Sequence, residues 1–217
     1  MKSKKPWPTK AAMTQIYEQQ LWGKNHQKYY SGEGSHQLEI VEPYINVVTS
    51  FLSTFKEPLT VCDLGCGDFN IGNQLVNFTK KYIAVDIVDE LIAFNKTKYQ
   101  QENLQFLSLD ITKDDLPKAD CAIVRQVLQH LSNKEVKNVV EKLYDFKYII
   151  LTEHLPNKDF EPNKDIISGQ GIRLKKKSGL DITKPPFDFE VKEKKTLCSI
   201  ILEDKKGIIE TTLFTSL

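Results

Sequence analysis

Val61-Cys62-Asp63-Leu64-Gly65-Cys66-Gly67 joins an apolar run to a Gly-x-Gly turn, and Tyr82-Ile83-Ala84-Val85-Asp86 ends a second apolar run on a carboxylate. Asp86 follows Gly67 by 19 positions. A strand, a glycine turn, a helix and a second strand ending in an acid is the arrangement by which an open α/β sheet holds a nucleoside. Without a Cβ, Gly65 and Gly67 let the backbone turn sharply and let a ligand lie against the main chain. A carboxylate on the neighbouring strand can accept both ribose hydroxyls. The pattern constrains the chain to a nucleotide-type α/β fold and points to a cofactor-binding enzyme.

Which nucleoside is held depends on the next residues. A dinucleotide site takes a third glycine three residues after the second, so that a helix N-terminus can approach a pyrophosphate. Asn70 stands there. That departure, and the lack of a Tyr/Lys pair for hydride chemistry, disfavours an NAD-dependent reductase.

Further along, Leu104 to Leu109 is a third apolar segment, ending in Asp110-Ile111, and Asp120 to Val124 is a fourth, running into Arg125-Gln126-Val127-Leu128-Gln129-His130. Over residues 20 to 154 the series Asp63-Leu-Gly-Cys-Gly67, Asp86, Asp110 and Asp120-x6-Val-Leu-x-His130 resembles class I S-adenosylmethionine (SAM)-dependent methyltransferases. Phe69 stands where many of them have a further glycine. Trp22-Gly23, Ser31-Gly-Glu-Gly-Ser-His36 and Asn163-x-Asp165 are similar to a group of small bacterial members. The resemblance implies SAM as cofactor, with Asp86 on the ribose and Asp110 on the adenine amine. Asp63, Gly65, Cys66, Gly67, Ile87, Ile111 and Gln126 would line the cofactor, and Arg125 would meet its carboxylate or an anionic acceptor. It also implies a Rossmann-like, mostly parallel seven-stranded sheet with a C-terminal antiparallel hairpin and helices on both faces.

Length and pattern agree with a single domain. The 217 residues suit one nucleotide-binding unit and no linker divides them. Its parts are an N-terminal helix and lid segment (1–36), a cofactor-binding core (37–154), and an acceptor loop with a β-hairpin (155–217). Leu38, Val41, Ile45, Val48, Leu52 and Phe55 recur at helical spacing, and Pro43 suits a helix's first turn. Ser132 and Glu135 form a capping box ahead of Val136, Val139, Val140 and Leu143. Tyr148 to Thr152 reads as the fifth strand; 189–194, 197–203 and 207–214 read as β segments, the last two joined by a turn at Asp204-Lys-Lys-Gly207.

Thirty basic and 29 acidic residues leave a net charge of +1, which gives no global field for nucleic acid or an anionic membrane. No run of 18 apolar residues exists, and Met1-Lys-Ser-Lys-Lys-Pro lacks a signal peptide's apolar core, so a cytoplasmic protein is expected. Cys62, Cys121 and Cys198 fall inside strands as small hydrophobes, and no C-x-x-C pair exists, so no metal is expected. Lys184-Pro-Pro-Phe187 resembles the motif by which base-amino methyltransferases hold a flipped base. It follows the fifth strand rather than the fourth, which makes it a turn.

Transfer from a sulfonium requires a nucleophile held in line and, for an alcohol, a base. His130, opening the helix after the fourth strand, and His154, after the fifth, are the candidate bases, with Glu153 as an orienting or binding group. Each also has an ordinary reading: a histidine that packs, or a solvated charge at a strand end. Trp22 to His36 reads as a lid, with Tyr29 and Tyr30 closing off solvent, against the plainer reading of a surface connection. Leu155 to Phe187, carrying Asn163, Asp165, Gly169-Gln-Gly171 and Arg173, is a second candidate for acceptor choice. The function read from all this is methyl transfer to a small polar metabolite, at oxygen, with a sugar as one candidate. The alternatives are methylation of RNA or protein, or a SAM- or nucleotide-binding protein without catalysis.

Overall fold

A computed structural model describes residues 7–24, 26, 28–203 and 207–217. Seven strands form one sheet: β1 (Thr60–Leu64), β2 (Lys81–Asp86), β3 (Leu104–Ser108), β4 (Cys121–Arg125), β5 (Tyr148–Leu155), β6 (Glu193–Ile201) and β7 (Ile208–Thr215). Their order is β3-β2-β1-β4-β5-β7-β6. The first five run parallel, and β7 pairs antiparallel with both β5 and β6. The chain leaves β3 at one edge and returns to place β4 beside β1. The strand order therefore reverses between β1 and β4, and a crevice opens at their carboxyl ends.

Side-chain alternation divides the core between the two sheet faces. Cys62, Leu64, Ile83, Val85, Ala122, Val124, Ile149 and Leu151 pack with α1 (Thr9–Glu18) and α4 (Asn133–Leu143). Val61, Tyr82, Ala84, Cys121, Ile123 and Ile150 pack on the other face with α2 (Leu38–Leu52). α3 (Asp89–Lys98) contributes Leu91 to one cluster and Ile92 to the other. α4 starts at the expected capping box: Ser132 accepts from the Glu135 N–H while the Glu135 carboxylate accepts from the Ser132 N–H. Among the described residues no helix is long and apolar enough to cross a membrane.

The seven-stranded, mostly parallel sheet with its antiparallel C-terminal hairpin is as the sequence implied. Local details differ. Pro43 lies inside α2 rather than in its first turn, because the helix begins at Leu38, and Phe55 lies beyond its end, stacked on Phe51 and Tyr148. No α-helix follows the glycine turn; two 3-10 turns, Gly72–Gln74 and Val76–Phe78, stand there. Phe69 is the cause. It takes a left-handed φ of 63° and is fully buried between Tyr82, Tyr99 and Phe106. A Cβ on Gly72 would come within 2.3 Å of its ring. The three β segments expected at the C-terminus are two strands, with a register irregularity between Thr196 and Cys198. The turn at 204–206 lies outside the described residues.

Candidate active site

The crevice between β1 and β4 opens into a cavity of about 840 Å³, toward the top of the range for small-molecule sites. It is lined by the glycine turn, the ends of β2 and β4, residues 109–112, the 31–37 segment and, farther along, His130, His154 and the β6–β7 end.

Gly65 and Gly67 have φ of 87° and 56°, which only glycine adopts cheaply. The room a side chain would need is also taken. A Cβ on Gly65 would meet Val127 Cγ2 at 2.4 Å, and one on Gly67 would meet Ser31 Oγ at 2.4 Å. The absent side chains thus admit Val127 and the N-terminal segment, as well as leaving main chain open to a ligand. Asp86, 7% exposed, accepts from Gly67 N–H (3.1 Å) and Val88 N–H (3.0 Å), one at each oxygen. A carboxylate offers about four lone-pair directions, so about two remain for ligand hydroxyls. Burial raises its pKa, and the N–H groups of Val88, Gly67 and Ile87 oppose that rise.

One strand over, just past the end of β3, Asp110 accepts from Thr112 N–H and Oγ1 at one oxygen and from Lys113 Nζ at the other. Burial raises its pKa, but these donors outweigh that and hold it below the usual range. Ile87 and Ile111 line the cavity beside these two carboxylates, and Cys66 and Gln126 line it near the turn. Asp63 faces the other side of the sheet. It accepts from the Tyr82 hydroxyl at 2.9 Å, and burial pushes its pKa up to about 7.

The 31–36 segment is fastened onto the glycine turn by Asp68, a residue the sequence reading passed over. Asp68 Oδ2 accepts from Ser31 N–H at 2.9 Å and pairs with His36 Nε2 at 2.6 Å, while Asp68 N–H donates to Ser31 Oγ at 2.8 Å. Tyr17 OH lies 3.0 Å from the same Ser31 oxygen. Tyr29 is buried against Tyr17 and Phe94, and Tyr30 stacks on His36. Arg125 donates to Gly34 O at 2.5 Å and to Ser35 Oγ at 3.3 Å, with its guanidinium 4.8 Å from the Tyr44 ring centroid. It lines the cavity and braces the segment that covers it.

Beyond the turn, His130 closes a 3-10 turn (Leu128–His130) instead of opening a helix; α4 starts three residues later. Its Nδ1 is 3.2 Å from Gly169 O, so in the neutral ring Nδ1 carries the proton and Nε2 the lone pair. Gln129 Oε1 accepts from His154 N–H at 3.0 Å, which turns its amide nitrogen toward His130 Nε2 at 3.3 Å. Burial lowers the His130 pKa to about 4, so the ring is neutral at pH 7. Trp22 packs on it at 5.1 Å.

His154 also lines the cavity, whereas Glu153 is outside the lining. Glu153 is 3% exposed, and neither of its oxygens has a hydrogen-bond partner among the described residues. Burial raises its pKa to about 8, against the charge of Arg173. Arg173, 1% exposed, holds the 3-10 turn through Leu128 O (3.1 Å), Leu131 O (2.9 Å) and Asn133 Oδ1 (2.7 Å). Asn163 orders the rest of the long connection, donating to Asp181 O and Pro185 O. Gln170 Nε2 then reaches Leu21 O at 2.7 Å, linking this connection to the N-terminal segment. Among the described residues no group of three His, Cys, Asp or Glu is placed to hold a metal.

Comparisons with known proteins bear on the fold that carries this site. A family model described as a methyltransferase domain matches residues 61–146. The N-methyltransferase NodS from Bradyrhizobium japonicum WM9, solved with S-adenosyl-L-homocysteine, superposes with a TM-score of 0.68 at 10% identity, covering 94% of this chain and 98% of that one. Magnesium protoporphyrin IX methyltransferase from Synechocystis PCC 6803 with bound SAM gives 0.61 at 14% identity, covering 99% and 100%. Human N-acetylserotonin methyltransferase with SAM also gives 0.61, at 18% identity, covering 97% of this chain and 60% of that one. A search of curated protein sequences returned no match. At these identities the superpositions speak for the fold.

Proposed function

We propose that this chain is a SAM-dependent methyltransferase and that it methylates a hydroxyl group of a small molecule. The observation that carries the proposal is a cavity running without a break from Asp86 and the glycine turn to the neutral imidazole of His130, under the 31–37 segment. The free lone pairs of Asp86 suit ribose hydroxyls, and Asp110, Ile87 and Ile111 flank the place for adenine. Gly65 to Gly67, Gln126 and Arg125 would face the methionine part. When bound, SAM supplies a methyl group already activated as an electrophile on sulfur.

The protein then has to orient the acceptor oxygen and take its proton. His130 is suited to both. The Gly169 carbonyl fixes Nδ1 as the protonated nitrogen, and Nε2 points its lone pair to an acceptor that displaces the long contact from Gln129. A base with a pKa of about 4 is weak, but the acceptor oxygen becomes strongly acidic as it gains the methyl group, so a weak base suffices. His154 is the second candidate, and Glu153, outside the cavity lining, the third. Trp22 and the 31–36 segment exclude water, so the methyl group meets the acceptor and not solvent.

The test is transfer from tritiated-methyl SAM into separated small-molecule and polymer fractions of a cell extract. Label should enter the small molecules, and His130→Ala should reduce it by about 10²- to 10⁴-fold with the affinity for S-adenosylhomocysteine unchanged. Label confined to RNA or protein would contradict the acceptor assignment. Transfer within threefold of wild type would remove His130 as the base.

A further inference from the structure

Resting on the methyltransferase reading, the geometry points to an acceptor with a neutral, apolar body: a hydroxylated alkyl or aryl compound rather than a sugar. The edge strand β6 changes character along its length. It begins with Glu193, Lys194 and Lys195, all exposed, which is how a free sheet edge is ordinarily protected. At the end that reaches the cavity, Ile200, Ile201 and Leu202 line the wall in succession before Glu203.

Ile201 is 77% exposed, a large aliphatic side chain left in water at the cavity mouth. Behind it, Ile40 of α2 and Ile209 of β7 form a buried floor, 5% and 3% exposed. An exposed aliphatic strip continuous with a ligand cavity is a surface that gains by being covered. A polyol laid along it would find acceptors at the rim, but the hydroxyls turned onto Ile200, Ile201 and Leu202 would face side chains that offer no hydrogen bond.

Charge at the rim narrows the class. Glu39 and Glu203 line the cavity beside the aliphatic strip. Those two carboxylates repel an acidic tail there, Lys175 being a cation elsewhere in the lining, and Ile200, Ile201 and Leu202 offer no partner to a charge of either sign, so the body that lies on the strip is neutral. The polar groups that could receive a hydroxyl, Gln129 and His130, line the same cavity nearer the glycine turn. The acceptor therefore enters hydroxyl first, its apolar body trailing past Ile200 and Ile201.

Binding of surrogate acceptors to the wild-type protein saturated with S-adenosylhomocysteine tests this without knowledge of the natural acceptor. Phenol, 4-ethylphenol and 4-butylphenol would be titrated by calorimetry beside methyl glucoside and 4-(4-hydroxyphenyl)butyrate. Affinity should rise along the phenols by about fourfold per methylene. The butyrate should bind more weakly than 4-butylphenol, and the glucoside weakest of all. Ile201→Asp, at an exposed edge where the fold does not depend on it, should remove most of the gain from the butyl chain and leave S-adenosylhomocysteine affinity unchanged.

A flat phenol series, preferred binding of the glucoside, or an Ile201→Asp protein that still discriminates chain length would overturn the inference while S-adenosylhomocysteine still binds. Failure of S-adenosylhomocysteine to bind the wild type would overturn the methyltransferase reading, and this inference with it.

Discussion

Replacing Glu153 with Gln should stabilise the protein, and increasingly so as the pH rises. Glu153 is buried, its oxygens lack hydrogen-bond partners among the described residues, and its pKa stands at about 8 against an ordinary 4.5. The folded protein therefore keeps a proton that the unfolded chain releases near pH 4.5. Wherever the folded state binds more protons, stability falls with rising pH, here from about 4.5 up to about 8. At 1.36 kcal/mol per unit, the cost is about 3 kcal/mol at pH 7 and up to about 5 kcal/mol above pH 8. Gln has nearly the same shape and no proton to lose, so it escapes this cost. Asp63, with a pKa of about 7, acts with the same sign but stops contributing near that pH, so the interval from 7 to 8 belongs to Glu153. His130 acts in the opposite sense: it is kept neutral, so its contribution is lost as pH falls from 6.5 toward about 4. Urea unfolding of wild type and Glu153→Gln between pH 5 and 9 should give a stability difference that grows by about 1.4 kcal/mol per pH unit and levels off above pH 8. Parallel curves, within about 0.5 kcal/mol over that range, would refute the assignment of a protonated Glu153.

Gly65→Ala combines a left-handed backbone with a Cβ 2.4 Å from Val127 Cγ2, and should cost about 2–5 kcal/mol in denaturant unfolding. An unchanged midpoint would contradict the packing described. Asp68→Asn weakens the anchor on Ser31 and His36, so amide exchange of residues 31–36 should rise at least about tenfold while the sheet stays protected, as a charged hydrogen bond contributes about 1.5–3 kcal/mol. Unaltered exchange would show that the segment is held by other contacts. Asp86→Ala should weaken S-adenosylhomocysteine binding by about 1.5–3 kcal/mol per hydrogen bond lost, in a protein that still folds. Calorimetry giving wild-type affinity would remove Asp86 from the ribose.

The glycine turn, the acid at the end of β2 and the strand segments β1 to β5 were legible because each is encoded within a few residues: apolar runs of strand length, glycines where φ is positive, a capping box from Ser132 to Glu135. What stayed hidden depends on partners distant in sequence. Asp68 looks like one more polar loop residue until Ser31 and His36, more than 30 positions earlier, fold onto it. Gln129 orients His130 only because β5 brings the His154 N–H beside it. Arg173 sits in a connection without periodicity, yet it holds the turn that carries His130. The helix expected after β1 failed for a local reason with a tertiary cause: Phe69 is drawn into an aromatic cluster, and the chain bends left-handed to deliver it. Asp63 was misread in direction, since strand alternation turns it to the α2 face, where Tyr82 receives it.

The central claim is that the crevice between β1 and β4 holds SAM. Its most direct test is calorimetric titration of the wild-type protein with S-adenosylhomocysteine and, separately, with NAD. The account predicts one-to-one binding of S-adenosylhomocysteine, a melting temperature that rises with its concentration, with about 2.7 kcal/mol of stability added at 100 times the dissociation constant, and no heat from NAD. Equal binding of NAD, or no binding of S-adenosylhomocysteine to folded protein, would contradict it.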